Sequence, residues 1–186
     1  MKRFLKPSLL AIFMVCATTA AHAATLIGNS IEAYYYFPTI GTEYGGASVA
    51  PNPFVVGSGV DTVINVEGVT FLNIDFSANT LVITLNTILS NPTWNNALQN
   101  GPAFKVLSGN AFSPVSSVVT SNSGPVSAFL SGGDLIINWA GMSYSSGDTV
   151  TVSFEPSAVP LPASVGFLTL GLAGLAWAGR RRRPVV

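Results

Sequence analysis

The stretch Val69–Leu85, VTFLNIDFSANTLVITL, contains two runs of alternating apolar and polar residues around a short polar turn. The apolar positions are Leu72, Ile74 and Phe76 in the first run, and Leu81, Ile83 and Leu85 in the second. Because successive strand residues point to opposite faces, this spacing places all six side chains on one buried face. The stretch therefore predicts an antiparallel β-hairpin that turns at residues 77–80.

A second hairpin is predicted from Val126–Leu130 and Leu135–Trp139, which are joined by Ser131-Gly132-Gly133-Asp134. Paired glycines supply the positive φ angles that a tight hairpin turn requires. The residues of this hairpin that should face the core are Leu135, Ile137 and Trp139. A final strand is predicted at Thr149–Phe154, where Val150, Val152 and Phe154 share one face.

Weaker strand patterns complete the domain. They are Ser30–Phe37, Val60–Val66, Ala103–Leu107 and Ser116–Val119. About nine short strands with Gly, Pro, Asn and Ser between them are typical of an all-β protein, a single antiparallel β-sandwich of the jelly-roll or immunoglobulin-like kind. The one short helix expected among them lies within Ile88–Gln99 and starts near Asn91-Pro92.

The N-terminal residues 1–23 have the organisation of a secretory signal peptide. Lys2, Arg3 and Lys6 form a basic region, Ser8–Ala20 is apolar, and Ala21-His22-Ala23 fits an A-x-A cleavage site. We expect a signal helix that engages the Sec translocon and is cut by signal peptidase, so that the mature chain begins at Ala24. A retained signal anchor is the alternative. A lipoprotein is disfavoured, because no small residue directly precedes Cys16.

The C-terminal segment combines prolines, an apolar run and a basic end. No charged residue occurs from Leu161 to Gly179, and Arg180, Arg181, Arg182 and Arg183 follow directly. We expect a transmembrane helix at 163–179, with the arginines as a stop-transfer signal in the cytoplasm. The alternatives are a buried helix of a soluble domain and a nucleic-acid-binding tail.

The sequence Val159-Pro160-Leu161-Pro162-Ala163, followed by a glycine-rich apolar helix and an arginine cluster, resembles the PEP-CTERM sorting domain of Gram-negative bacteria in its VPLPA variant. Leu161 stands where the commoner form has glutamate, which suggests a variant-specific exosortase. The resemblance covers residues 159–186 only. It implies recognition by an exosortase, a membrane cysteine transpeptidase, then removal of the helix and delivery to the cell surface or exopolysaccharide matrix.

Between the two ends lies a predicted acidic ectodomain, residues 24–156, with 157–186 as the sorting signal. Lys105 is its only basic residue, against eight acidic residues, which leaves a net charge of −7. The acidic residues are Glu32, Glu43, Asp61, Glu67, Asp75, Asp134, Asp148 and Glu155. Binding to phosphate groups needs Lys and Arg, so we expect neither nucleic acid nor an anionic membrane as a partner of this region. The acidity is also explained by solubility alone.

The predicted mature chain lacks cysteine and histidine, because Cys16 and His22 both precede Ala24. Disulfides, Ser-His-Asp and Cys-His nucleophiles, and His or Cys metal sites are therefore excluded. We expect no cofactor, no metal and no catalytic residue. A hydrolase would depend on carboxylates, for which Asp61 with Glu67 and Asp75 with Asp134 are the possible pairs. Asp134 and Asp148 lie in glycine turns, where calcium ligation competes with ordinary turn hydrogen bonding.

Two stretches are candidates for ligand binding. The run Tyr34-Tyr35-Tyr36-Phe37 places aromatic rings on both faces of one strand, so at least one ring should be partly exposed. Exposed rings bind sugars in many sandwich proteins, and the alternative is a core strand with hydroxyls at the surface. The glycine- and proline-rich segment Gly41–Pro53 is either a binding loop or a disordered connector.

These patterns lead to three functional hypotheses. The first is an exported structural protein of the surface or extracellular matrix, associated with exopolysaccharide and anchored transiently in the inner membrane. The second is a carbohydrate-binding sandwich module that acts on exopolysaccharide. The third, a carboxylate-based hydrolase, has the least support in the sequence.

Overall fold

The computed structural model describes residues 25–156 of the 186-residue chain, and these residues form eleven β-strands. The strands are β1 (Ser30–Tyr36), β2 (Ala47–Ala50), β3 (Phe54–Val55), β4 (Thr62–Val66), β5 (Thr70–Phe76), β6 (Thr80–Thr87), β7 (Gly101–Ser108), β8 (Val115–Thr120), β9 (Ser127–Ser131), β10 (Asp134–Asn138) and β11 (Asp148–Phe154). No helix in this range has the length and apolar character needed to cross a membrane. The predicted signal peptide, sorting motif, transmembrane helix and arginine cluster lie outside the described residues.

The strands make two antiparallel sheets, which confirms the all-β class. One sheet has five strands in the order β3-β1-β7-β10-β9, and the other has six in the order β2-β4-β5-β6-β11-β8. Buried side chains from both sheets belong to one hydrophobic cluster, as expected when two sheets pack face to face. The architecture is therefore sandwich-like.

The two strongest sequence predictions are confirmed. Strands β5 and β6 pair as a hairpin in which Phe76 lies opposite Leu81, and all six predicted core side chains are fully buried. Strands β9 and β10 form the second hairpin, with Leu130 opposite Leu135. In β11, Val150, Val152 and Phe154 are buried, as their spacing indicated.

The core separates into two aromatic groups at different places along the sheets. A phenylalanine group contains Phe54, Phe76, Phe104, Phe112 and Phe154, with ring centroids 5.1 to 6.1 Å apart. The other group contains Tyr35, Trp94, Trp139 and Tyr144. Aliphatic side chains of β1, β4, β5, β6, β10 and β11 contribute to the remaining interior.

The number of strands differs from the prediction of about nine because Gly41–Pro53 is more ordered than its composition indicated. It contains β2, and β3 follows directly. Asn52 fixes the segment to β1, since its Nδ2 donates to the Ala33 carbonyl and its Oδ1 accepts from the Ala33 amide, both at 2.9 Å. The hypothesis of a disordered connector is therefore wrong.

The predicted helix within Ile88–Gln99 is also wrong. The segment contains no helix, and its backbone groups bond to distant parts of the chain. The Trp94 amide donates to the Met142 carbonyl at 2.9 Å, and the Gln99 amide donates to the Pro38 carbonyl at 2.9 Å. These tertiary bonds replace the i to i−4 bonds of a helix, and they place Trp94 against the core.

Candidate functional site

The predicted tyrosines divide between the two faces of β1. Tyr35 points inward and is only 3% exposed, whereas Tyr34 and Tyr36 lie on the outer face and are partly exposed. The rings of Tyr34 and Tyr36 are 5.8 Å apart between centroids and nearly parallel, at 15°. The strand alternation thus separates one structural tyrosine from two that solvent reaches.

An apolar row extends from these rings across the outer face of the five-stranded sheet. Tyr34 lies opposite Ala103, Ala103 lies opposite Ile136, and Ile136 lies opposite Phe129. Ala103 and Ile136 are buried although they share this face, while Phe129 at the end of the row is 39% exposed, so the accessible part of the row is its two ends. We call Tyr34, Tyr36, Ala103, Ile136 and Phe129 the outer tyrosine face. It spans four strands, or about 14 Å.

Carboxylates surround the outer tyrosine face. The Tyr34 hydroxyl donates to Glu32, and this hydrogen bond to an anionic acceptor is the largest cause of the raised pKa of Tyr34. Burial raises the pKa of Tyr36, and the charges of Asp134 and Glu43 add to the effect. The face therefore combines apolar rings with carboxylates that can accept hydrogen bonds from hydroxyl groups. The negative charge of these carboxylates disfavours the binding of anionic ligands.

A concave site, which the sequence did not indicate, lies at the tryptophan end of the core. Its volume is about 150 Å³. The residues that line this aromatic cleft are Tyr35, Phe37, Tyr44, Val66, Glu67, Val69, Thr70, Leu89, Pro92, Thr93, Trp94, Asn95, Asn100 and Tyr144. These residues come from segments that are far apart in the sequence. Trp94 reaches the cleft because residues 88–99 follow a non-helical course, which the sequence did not predict. No local sequence pattern therefore indicated the site.

The aromatic rings of the cleft are largely occupied with one another. Tyr144 stacks on Trp94 with centroids 4.7 Å apart, and Trp94 stacks on Trp139 with centroids 5.5 Å apart. Trp94 is only 8% exposed, and its buried Nε1 has no hydrogen-bond partner among the described residues. At the rim, the Tyr44 hydroxyl donates to Glu67. The cleft exposes polar and apolar surface in about equal amounts.

The structure does not bring the proposed carboxylate pairs together. Asp61 and Glu67 stand at opposite ends of β4, and Asp75 and Asp134 belong to different sheets. Asp61 instead holds its own loop, since its carboxylate accepts from the Gly57 and Phe76 amides at 2.8 Å. Burial raises the pKa of Asp61, and those two bonds oppose the shift. The geometry supports a structural role for Asp61.

Asp148 follows ordinary turn chemistry, whereas Asp134 begins strand β10. Asp148 accepts hydrogen bonds from the Ser145 amide at 2.8 Å, the Asn122 side chain at 3.1 Å and the Ser121 hydroxyl at 3.0 Å. These bonds, the Ser145 amide first, lower the pKa of Asp148. Among residues 25–156, no three Asp, Glu, His or Cys side chains are grouped as a metal site would require.

No protein-family model, curated protein or solved structure matches this chain. A functional assignment therefore rests on the residues and their arrangement. Two arrangements within residues 25–156 present groups that a ligand could contact, the outer tyrosine face and the aromatic cleft.

Proposed function

We propose that this protein is an exported structural component of the cell surface or extracellular matrix, without catalytic activity. The observation that carries the proposal is the VPLPA sequence at 159–163, followed by an apolar run and four arginines. The signal-peptide pattern at the opposite end supports the same route. The two-sheet fold between them forms an acidic body that contains no cysteine.

The proposed route has three steps. The Sec translocon exports the chain, and signal peptidase cuts after Ala23. The C-terminal helix then holds the protein in the inner membrane, with the arginines on the cytoplasmic side. Finally, an exosortase-type transpeptidase recognises Val159–Ala163 and releases the ectodomain to the surface or to exopolysaccharide.

Proline substitutions test the sorting step. In the native host, Pro160→Ala/Pro162→Ala should block processing, so that the precursor accumulates in the membrane fraction. Pro156→Ala makes the same chemical change in the linker outside the motif and should be processed normally. Normal processing and surface delivery of Pro160→Ala/Pro162→Ala would refute the sorting proposal.

A second candidate function is carbohydrate binding, and the outer tyrosine face favours it. Two nearly parallel rings, 5.8 Å apart, give apolar surface on which a sugar ring can stack. Glu32, Glu43 and Asp134 beside them can accept hydrogen bonds from sugar hydroxyls. The negative charge around the rings selects neutral glycans over acidic ones.

A glycan array with the purified ectodomain tests this function. We expect binding to neutral polysaccharide, lost in Tyr34→Ala/Tyr36→Ala and kept in Leu89→Ala, which alters the aromatic cleft instead. A blank array with folded protein would refute carbohydrate binding. Loss of binding in Leu89→Ala alone would assign the ligand to the aromatic cleft and contradict the proposed site.

We also propose that the fold is a jelly-roll rather than an immunoglobulin-like sandwich. The chain passes from one sheet to the other in seven of its ten strand-to-strand connections. Such repeated crossing is expected when a long antiparallel ribbon wraps around a core, as in the jelly-roll. An experimental structure of the ectodomain with a different strand order would overturn this assignment.

A further inference from the structure

Strands β8 and β9 form the sheet edges on one side of the fold. β8 is the last strand of the six-stranded sheet and β9 is the last of the five-stranded sheet, and the two lie in contact. The opposite edges are β2 and β3. An edge strand carries a row of backbone N–H and C=O groups that its own sheet leaves unpaired, and these groups can pair with another strand.

The two sides of the fold differ in how their edges are protected. On the β2–β3 side, β3 has only two residues, and Pro51 and Pro53 interrupt the chain between the two strands. On the β8–β9 side, the strands have six and five residues, and no charged residue occurs from Val106 to Gly133. Short strands, prolines and charges are the usual means of blocking edge pairing, and the β8–β9 edge lacks all three within its strands.

The β8 edge is accessible over most of its length. A bulge near Ser116 interrupts its pairing with β11, and regular pairing extends from Ser117 to Thr120. Ser117 and Val119 are exposed, and Val119 retains 62% of its accessible surface. Among the described residues, β11 is the only strand that pairs with β8.

We propose that the β8–β9 edge pairs with the same edge of a second copy of this chain. A two-fold axis perpendicular to both sheets would set β8 antiparallel to β8 of the second copy and β9 antiparallel to its counterpart. A second copy can pair with both edges at once, because its own β8 and β9 edges are the same distance apart. We call the line along which the two edges meet the seam. Because no charged residue lies at the seam, two acidic molecules would not repel each other directly there.

This inference goes beyond the proposed function, because it concerns the ectodomain alone and does not depend on sorting. The contact area of a few strand residues from each copy is below that of a standard stable complex. We therefore expect a reversible association that depends on protein concentration. A surface-attached protein would meet such concentrations more readily than a dilute one.

Sedimentation of the purified ectodomain, residues 24–156, tests the proposal. This part should fold on its own, since all eleven strands and their shared core lie within it. We expect a monomer–dimer equilibrium that Ser117→Glu/Val119→Glu weakens about tenfold or more, through like charges across the seam. Ser58→Glu/Val60→Glu makes the same change at an exposed loop and should leave the equilibrium unchanged.

A crosslinking variant makes the test independent of the folding of the glutamate variant. Residues 24–156 contain no cysteine, so Ser117→Cys introduces a single thiol that a short bifunctional reagent should join between copies. A monomer at all concentrations, an equal effect of both glutamate pairs, or no crosslink would overturn the proposal. A longer protein, residues 24–163, provides a further check. If it stays monomeric while residues 24–156 associate, the added residues cover the β8–β9 edge, and the proposal is overturned.

Discussion

Tyr35 shows how one hydroxyl organises the tryptophan end of the core. Its oxygen accepts from Trp139 Nε1 at 3.1 Å and donates to Asn100 Oδ1 at 2.8 Å. Burial raises the pKa of this tyrosine, so the hydroxyl remains protonated and available as a donor. Tyr35 is thus a structural residue, although the sequence placed it among the possible ligand-binding tyrosines.

Removing that hydroxyl should destabilise the fold. Tyr35→Phe leaves two buried polar atoms without a partner, at a cost of about 1–3 kcal/mol. The matched Tyr36→Phe change removes a partly exposed hydroxyl and should alter the free energy of unfolding by about 0.5 kcal/mol or less. Denaturant unfolding of both variants measures the difference, and equal losses would contradict the role assigned to Tyr35.

Asp148 should make the free energy of unfolding depend on pH in the acidic range. Because its folded pKa lies below the unfolded value, the ionised carboxylate stabilises the fold above about pH 4, and this contribution is lost as the pH falls through the folded pKa. Asp148→Asn should therefore be less stable than the natural protein near neutral pH, by about 1 kcal/mol or less. The difference should shrink below pH 4 in unfolding measurements, and a difference that is constant with pH would contradict this account.

At the scale of elements, the junction between β7 and β10 depends on a glycine. Gly101 begins β7 with a φ of 156°, and a Cβ at this position would lie 2.4 Å from the Ile137 carbonyl oxygen. Since the obstacle is backbone in the neighbouring strand, it has little freedom to move.

Gly101→Ala should destabilise the fold by about 1–3 kcal/mol through overpacking. Gly45→Ala is the control, because a Cβ at Gly45 has no neighbouring atom within 4 Å. Thermal unfolding compares the two variants. A Gly101→Ala protein as stable as the control would show that β7 and β10 approach less closely than described.

The predictable elements were those whose pairing is local. Both hairpins join neighbouring segments through short turns, so alternation and turn residues together determined their position and register. The strands β2 and β3 are short and lie among prolines, and they depend on partners far along the chain, such as the Asn52 contact with Ala33. The segment 88–99 took an irregular course because tertiary hydrogen bonds outweighed weak helical preference.

At the scale of the whole molecule, the sequence predicted only part of the outer tyrosine face. Alternation in Tyr34–Tyr36 predicted exposed rings, but the row through Ala103, Ile136 and Phe129 needed the strand order of the sheet. The aromatic cleft required the three-dimensional fold altogether. The two charged ends are predicted from composition and residue order alone, since signal and sorting segments do not depend on packing, and they lie outside the described residues.

The distribution of charge and the fold support one account of the whole chain. Two basic ends flank an acidic two-sheet body that lacks cysteine and histidine from Ala24 onward. We propose that the ends direct export and sorting, and that the body is the part that remains at the surface. In this account the protein is a substrate of the sorting enzyme and is not itself an enzyme.

The intact mass of the mature protein, purified from its native host and measured by mass spectrometry, tests this account most directly. The account predicts a chain that begins at Ala24 and lacks the arginine cluster Arg180–Arg183, together with the apolar segment before it. An intact mass that includes those arginines, or the residues before Ala24, would show that the corresponding end is retained and would contradict the proposed processing.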